Sequence, residues 1–233
     1  MVANHSFSSS PAAPTRMSRK EGIFISFEGS EGAGKSTQIG RLAAILESCG
    51  REVLLTREPG GTAIGEKIRD LLQFNPEAAG MTAETELLLF AASRAQLVRE
   101  VIAPALASGI CVIADRFLDS TTVYQGIGRG LGIPTAAAIN QVAVGAVLPD
   151  WTILLDLDAA VGHARALSSR GSKSDRIEDQ PLAFFEKVRR GYLDLAAAEP
   201  ERIQVFDASR GIEEIAGEIG QSLFSRFAWL RKS

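Results

Sequence analysis

The sequence predicts an α/β fold: a doubly wound, five-stranded parallel sheet with helices on both faces. Three observations predict it. Five short segments are almost continuously apolar, which is typical of strands buried on both faces. Longer stretches with helical signals separate these segments, and strand–helix alternation of this kind favours a parallel sheet. A glycine-rich turn also joins the first strand to the first helix.

The strands are expected, in chain order, at Ile23–Glu28, Val53–Arg57, Ile110–Asp115, Trp151–Asp156 and Ile203–Phe206. Proline and glycine mark the helices between them, because proline suits a first helical turn and both residues end helices. The expected helices are Lys35–Ser48, Thr82–Ala107 with Pro104 ending or kinking it, Pro134–Val147, Gln180–Ala198 and Ile212–Leu230. No repeat or linker interrupts this pattern, so residues 21–233 are expected to form one domain.

Residues 1–20 are rich in Ser, Pro and Ala and are expected to form a flexible tail. They lack the apolar core of about 7–15 residues that a secretory signal needs. A transit peptide stays open as an alternative, since the segment is Ser-rich and has no acidic residue, and Met17 is an alternative start. The two cysteines, Cys49 and Cys111, lie in apolar stretches and are expected to be buried thiols, which favours a cytoplasmic protein.

Composition excludes several classes of function. A net charge of −3, from 25 Lys+Arg and 28 Asp+Glu, argues against a protein that coats a nucleic-acid polymer through a basic surface. No apolar run approaches the ~20 residues that span a bilayer, so no membrane partner is expected. Histidine occurs only at His5 and His163, which removes most His-based zinc sites and Ser–His–Asp hydrolases.

Residues 29–36 read GSEGAGKS and match the pattern G-x-x-x-x-G-K-[ST], between an expected strand and an expected helix. The glycines let backbone N–H groups point at phosphate oxygens, and the helix N-terminus adds its positive dipole end. Lys35 would reach the β- and γ-phosphates, and Ser36 would ligate Mg²⁺. The pattern therefore predicts a nucleoside triphosphate site at Gly29, Ser30, Glu31, Gly32, Ala33, Gly34, Lys35, Ser36 and Thr37.

Further motifs follow the expected strands or lie in the long helix: TREPGGT at 56–62, FAASR at 90–94, DRF at 115–117, STTVYQG at 120–126 and DRIE at 175–178. Ligands of open parallel sheets bind beyond the carboxyl ends of the strands, where three of these motifs fall. Together with FEGSEGAGKST at 27–37, the motifs resemble bacterial thymidylate kinase (dTMP kinase), a P-loop nucleoside monophosphate kinase family. The resemblance covers about residues 22–210.

The resemblance implies a role for each matching residue. Glu31 would hold the 3′-hydroxyl of deoxyribose, Phe90 would stack on thymine, and Arg94, one helical turn later, would donate to a thymine carbonyl. The other implied residues are Arg69 and Arg116 on the acceptor phosphate with Arg57 close by, Thr121 and Gln125 near the base, Tyr124 under the sugar, Asp115 ordering Mg²⁺ through water, and Pro59, which is often cis. Phe117 stands where the family usually has Tyr or His, so we keep it off the catalytic list.

Two of these interpretations have structural alternatives. Phe90 lies in an apolar helix and could belong to the core, and Tyr124 could be a packed loop aromatic.

The polar, cation-rich residues 165–178 could be a solvated loop, but they follow the fourth strand and its helix, where nucleoside monophosphate kinases carry a lid. The phosphate loop has no arginine at its variable positions, and an arginine is worth ~10³–10⁵ in rate in related phosphoryl transfers. We therefore expect at least one of Arg170 and Arg176 to act beside Lys35, Asp115 and Arg116.

The sequence thus predicts ATP-dependent phosphorylation of dTMP to dTDP with Mg²⁺, by in-line transfer. The resemblance also implies a homodimer. Another nucleoside monophosphate kinase, for UMP/CMP or a purine nucleotide, is the alternative. A GTPase-like switch would need an N-K-x-D string, which does not occur, and intact Lys35, Ser36 and Asp115 disfavour a noncatalytic nucleotide-binding homologue.

Overall fold

The computed structural model describes residues 22–169, 176–177 and 179–232. It contains a five-stranded sheet of order β2-β3-β1-β4-β5, in which every neighbouring pair is parallel. The strands are β1 (Phe24–Glu28), β2 (Val53–Arg57), β3 (Cys111–Asp115), β4 (Trp151–Asp156) and β5 (Ile203–Asp207). The predicted sheet is confirmed, with each strand boundary within one residue of its expected place. The predicted tail, 1–20, lies outside the described residues.

The two edge strands differ from the prediction that all five would be buried on both faces. Strands β1, β3 and β4 are almost wholly buried, whereas β2 has only half-buried and exposed positions and β5 mixes buried, half-buried and exposed positions. Leu55 in β2 is 53% exposed and Val205 in β5 is 43% exposed. An apolar sequence alone does not reveal which strands lie at an edge, because the order of strands is set by packing of the whole sheet.

Helices cover both faces of the sheet. They are α1 (Lys35–Ser48), α2 (Ala63–Gln73), α3 (Ala83–Leu97), α4 (Ala103–Ala107), α5 (Leu118–Thr121), α6 (Ile133–Val144), α7 (Ala159–Ser169), α8 (Leu182–Ala198) and α9 (Ile212–Arg226). A π-helical turn at Val98–Ile102 joins α3 to α4, and a π-helical segment at Thr122–Gly128 extends α5. Short 3₁₀ helices form at Pro76–Gly80 and Ala228–Lys232.

Three helix predictions need correction. Pro104 does not end the predicted helix Thr82–Ala107, which continues to Ala107 as α3, a π-helical turn at Val98–Ile102 and α4, with Pro104 in the first turn of α4. Helix α2 was not predicted, although Thr62 caps it by accepting from the Gly65 N–H at 2.9 Å. Helix α7 runs to Ser169, so the first residues of the predicted lid are helical. Residues 170–175 and 178 of that lid lie outside the described residues.

The core divides into layers because successive strand residues point to opposite faces. Ile25 faces a cluster with α1 and α9, and its neighbour Phe24 faces a second cluster with α3 and α4. Both faces are therefore covered, as the doubly wound prediction requires. Cys111 is buried as expected, but Cys49 at the end of α1 is only partly buried. No helix within the described residues is long and apolar enough to cross a membrane.

Strand register brings the motifs together. Asp115, at the end of β3, lies opposite Arg57 of β2 on one side and Phe27 of β1 on the other. The phosphate loop begins immediately after β1 at Gly29. The carboxyl ends of these three adjacent strands therefore open onto one edge of the sheet, where ligands bind in folds of this kind.

Candidate active site

The phosphate loop has the backbone that a phosphate cradle needs. Gly29 and Gly34 have φ of +130° and +87°, and a Cβ at Gly29 would lie 2.4 Å from the Leu155 carbonyl oxygen, so only glycine fits there. Lys35 begins α1 and folds back over the loop, donating from Nζ to the carbonyl oxygens of Gly29 at 3.2 Å and Ser30 at 3.0 Å. Ser36 next to it is exposed.

Glu31 of the loop is the centre of a charged triplet. Its carboxylate accepts from the Arg116 guanidinium and lies 3.8 Å from Lys35 Nζ. Burial opposes the charge on Glu31, but the cations of Arg116 and Lys35 outweigh that effect and lower the pKa of Glu31 to about 2. Burial also lowers the pKa of Lys35, and Arg116 acts in the same direction. A bound anion would relieve this concentration of positive charge.

The TREPGGT segment forms a turn on the other side of the cleft. The Glu58–Pro59 peptide is cis, which confirms the expectation for Pro59. Arg69 on α2 donates to the Pro59 carbonyl oxygen at 3.0 Å, and Arg57 donates to Glu66 at 2.8 Å. Both arginines line the cleft, where guanidinium groups suit an anionic ligand.

One cleft collects most of the predicted residues. It encloses about 730 Å³, open solvent at its mouth included. Predicted residues in its wall are Glu31, Lys35, Arg57, Pro59, Arg69, Phe90, Asp115, Arg116, Thr121, Tyr124 and Gln125. The sequence analysis missed four more lining residues, Glu58, Gln73, Ser120 and Ile177. Glu58, Ser120 and Ile177 stand inside motifs that the sequence analysis named, whereas no sequence signal indicated Gln73.

Phe90 and Tyr124 were each expected either in the site or in the packed interior, and the structure places both in the cleft wall. Phe90 is only partly buried and lies in the cleft wall rather than in a core cluster. Tyr124 also lines the cleft, although its ring packs against Phe184 and Tyr192 and it is 5% exposed. Its hydroxyl is buried with no hydrogen-bond partner among the described residues, and burial raises its pKa to about 12. Tyr124 thus packs and lines the site at once.

Arg94 differs from its expected place. It is 1% exposed and is absent from the cleft wall of the described residues. Its Nε donates to Glu58 at 2.8 Å, NH1 to Asn140 at 2.7 Å and NH2 to Thr121 at 2.9 Å. NH2 also donates to Glu58 at 2.5 Å, which leaves one NH1 hydrogen, so the contact with a thymine carbonyl stays a prediction. What the structure shows is a buried cation that supports two cleft residues, Glu58 and Thr121.

The two predicted lid arginines have different outcomes. Arg170 lies outside the described residues. Arg176 donates to Glu86 at 2.6 Å and to the Leu72 carbonyl oxygen at 3.0 Å, so this structure does not bring it to the phosphate loop. Burial opposes charge on Glu86, but bonds from Arg129, Gln125 and Arg176 lower its pKa. The polar pattern of the segment gave no indication of this buried partner on α3.

Glu28, the last residue of β1, is a functional candidate that the sequence analysis passed over. Its carboxyl is fully buried and accepts from the Phe117 N–H at 2.8 Å, the Ser120 hydroxyl at 2.6 Å and the Tyr192 hydroxyl at 2.8 Å. Burial and the nearby Asp119 raise its pKa to about 7. Ser120 and Tyr192 in turn accept from Arg116 at 3.1 and 3.3 Å.

This network fixes the turn that carries Arg116. Arg116 has a φ of +69°, which is unfavourable for any residue with a Cβ. The Glu28 bond to the next N–H, at Phe117, and the Arg116 bonds to Ser120 and Tyr192 hold that conformation. Phe117 itself is fully buried against Phe24, with ring centroids 4.9 Å apart, which agrees with its omission from the catalytic list.

A metal would have few protein ligands here. The described residues contain no cluster of three or more His, Cys, Asp or Glu side chains that could hold an ion. Mg²⁺ needs no such cage, because it is commonly bound by one or two side-chain oxygens together with phosphates and waters. Ser36 at the loop and Asp115 at the cleft are oxygen donors of that kind.

The chain is similar to known thymidylate kinases in sequence and in fold. The family model for thymidylate kinase matches residues 27–219. Thymidylate kinase of Lactobacillus delbrueckii subsp. bulgaricus is 51% identical over 196 residues, covering 84% of this chain and 92% of the relative, and that of Geobacter sulfurreducens is 49% identical over 209 residues, covering 88% and 98%. A crystal structure of thymidylate kinase from Ehrlichia chaffeensis superposes with a TM-score of 0.71 at 33% identity, covering 88% of this chain and 99% of that one. This chain belongs to the thymidylate kinase family.

Proposed function

We propose that this protein transfers the γ-phosphoryl group of ATP to dTMP, giving ADP and dTDP. One observation carries the proposal: a phosphate loop and a second cluster of arginines face each other in one cleft whose far wall is aromatic and polar. A donor triphosphate and an acceptor monophosphate can therefore meet there. The family comparisons support dTMP as the acceptor.

The phosphate loop would hold the donor. Backbone N–H groups of the glycine turn and the N-terminus of α1 favour the phosphates of ATP. Lys35 would exchange its bonds to the Gly29 and Ser30 carbonyls for phosphate oxygens. When bound, Mg²⁺ would supply positive charge to the donor phosphates, held by the Ser36 hydroxyl and, through water, by Asp115.

Arg69 and Arg116 would hold the acceptor phosphate, with Arg57 beside them. Arg116 is pre-oriented by its bonds to Ser120, Tyr192 and Glu31, so little side-chain freedom is lost when phosphate binds. Charge that spreads over the transferring oxygens would be stabilised by Arg116 and Lys35 without covalent help. Arg170 is our proposed source of a further cation from the lid.

The nucleoside would lie deeper in the cleft. Phe90 would stack on the base, and Thr121 and Gln125 would offer it polar groups. Tyr124 would lie under the sugar, with Glu31 fixing the 3′-hydroxyl. Glu31 would then exchange part of its contact with Arg116 for the sugar, which its strongly favoured ionised form allows.

We also propose that the protein works in the cytoplasm as a homodimer. Helices α3 and α6 pack together and leave Leu88 55% and Val142 75% exposed. Arg99, in the π-helical turn after α3, donates to the Ala143 carbonyl oxygen of α6 at 2.7 Å. Apolar side chains so exposed on two adjacent helices support association between copies.

The proposal is tested by incubating the protein with ATP, Mg²⁺ and dTMP and separating the nucleotides by ion-exchange chromatography. Stoichiometric dTDP and ADP are expected. Lys35→Met serves as the control, because it removes the loop cation and leaves the acceptor side intact. Absence of dTDP from the wild-type protein, at concentrations that bind both nucleotides, would refute the proposal.

A further inference from the structure

The buried carboxylate of Glu86, which lies outside the cleft, accepts a hydrogen bond from Gln125, which lines the cleft. Glu86 on α3 is 1% exposed, and its Oε1 accepts from the Gln125 Nε2 at 2.8 Å and from the Arg129 Nε at 3.0 Å. Its Oε2 accepts from Arg129 at 3.1 Å and from Arg176 at 2.6 Å. Gln125 is 2% exposed and belongs to the cleft wall. The carboxylate is thus shared between two guanidinium groups and one side-chain amide.

This contact fixes which way the Gln125 amide points. An ionised carboxylate only accepts hydrogen bonds, so the amide nitrogen must face it and the amide oxygen must face away. Two guanidinium groups keep Glu86 ionised in spite of its burial. No described residue donates to the Gln125 Oε1, so this acceptor at the cleft wall is left for a ligand.

The direction of that amide matters for pyrimidine recognition. Thymine and uracil carry a hydrogen on N3, which an amide oxygen accepts. Cytosine carries a lone pair on N3, which an amide oxygen repels. We propose that Glu86 is a positioning residue: by holding the Gln125 nitrogen, it presents the Gln125 oxygen to N3 and so selects imide pyrimidines over cytosine. The inference rests on the proposed function, in which the base lies against Gln125.

The test is the ratio of kcat/KM for dTMP to that for dCMP. In Glu86→Gln, the arginines donate to the one remaining oxygen, so the new NH₂ group faces Gln125. The Gln125 amide then forms a hydrogen bond with that NH₂ group only if it rotates and turns its oxygen toward residue 86. The dTMP/dCMP ratio should fall ~5–100-fold, the range expected for one mismatched buried hydrogen bond. The dTMP/dUMP ratio should stay within about threefold of the wild type, because both bases carry the N3 hydrogen.

Arg129→Met is the matched control. It damages the same cluster but leaves the Glu86 carboxylate on Gln125, so the dTMP/dCMP ratio should keep its wild-type value. Glu86→Asp retains an acceptor-only group and should recover most of the ratio. If Glu86→Gln fails to fold by circular dichroism, the double variant Glu86→Gln/Arg129→Gln removes a cation with the carboxylate and carries the same expectation.

Gln125→Ala separates this inference from the proposed function. A wild-type dTMP/dCMP ratio in Gln125→Ala would show that the base does not lie against this residue, which overturns the proposed placement of the base. If Gln125→Ala lowers the ratio but Glu86→Gln leaves it unchanged, the base contact stands and the positioning role of Glu86 is overturned. If both single variants lower the ratio and Glu86→Gln/Gln125→Ala lowers it no further than Gln125→Ala alone, Glu86 acts through Gln125.

Discussion

The buried pair Arg94–Glu58 gives the sharpest stability prediction. Arg94 is 1% and Glu58 is 3% exposed in their side chains, and Arg94 Nε donates to Glu58 Oε2 at 2.8 Å. Arg94→Met removes the cation and leaves a carboxyl buried without its partner. Breaking a buried pair in this way costs about 3–5 kcal/mol of unfolding free energy. For a chain of this length that corresponds to a fall in Tm of roughly 6–20 °C, at about 2–4 °C per kcal/mol.

Urea denaturation followed by circular dichroism measures the loss directly. Arg41→Met is the matched control, because Arg41 pairs with Glu213 while both side chains are exposed, 40% and 79% respectively. Such surface pairs contribute about 0–1 kcal/mol. The double variant Glu58→Gln/Arg94→Met should recover part of the loss, since it removes the uncompensated carboxyl. If Arg94→Met costs no more than Arg41→Met, the buried pair does not support the cleft as described.

Four further predictions concern catalysis and pH. Lys35→Met should lower kcat at least ~100-fold, about 2.7 kcal/mol, in a coupled ADP-release assay; near-normal turnover in the folded variant would exclude a role on the phosphates. Tyr124→Ala should raise kcat/KM for ribothymidine monophosphate relative to dTMP by ~10–100-fold, and an unchanged ratio would make Tyr124 a packing residue. Arg170→Ala should lower kcat at least ~10-fold, whereas a change within about threefold would assign the lid cation elsewhere. Glu28 has its pKa raised from 4.5 to about 7, so its stabilising effect is full below 4.5 and is lost as the pH rises through 7. Glu28→Gln should therefore flatten the decline in unfolding free energy with pH across that interval, and an equally steep decline would show that another group titrates.

Much of the fold was predictable because local signals agree with the tertiary structure. Strands β2 and β4 and helix α1 have the predicted bounds. Glycine, proline or charged residues lie at the boundaries of each element, and these residue types mark an end of a strand or helix through local preferences alone. Helix α2 was missed because it follows the TREPGGT motif without a break, and the motif drew the interpretation toward a ligand-binding turn.

The site was predictable where a motif fixes its own backbone and was missed where distant residues meet. The phosphate loop followed from its sequence pattern, and the cis peptide before Pro59 followed from the family resemblance. The burial of Arg94 did not, because Glu58, Thr121 and Asn140 come from different segments to occupy its donors. In the sequence, Glu28 was interpreted only as the last residue of an apolar strand, because no neighbouring residue indicates that three donors converge on it.

The central claim is that the cleft accepts dTMP in preference to other nucleoside monophosphates. The most direct measurement is ADP release, in one coupled assay with ATP and Mg²⁺, for dTMP, dUMP, UMP, CMP, AMP and GMP. The account predicts the highest kcat/KM for dTMP, a lower value for dUMP, and far lower values for the ribonucleotides and purines. Equal or higher kcat/KM for UMP, CMP or a purine nucleotide would contradict it.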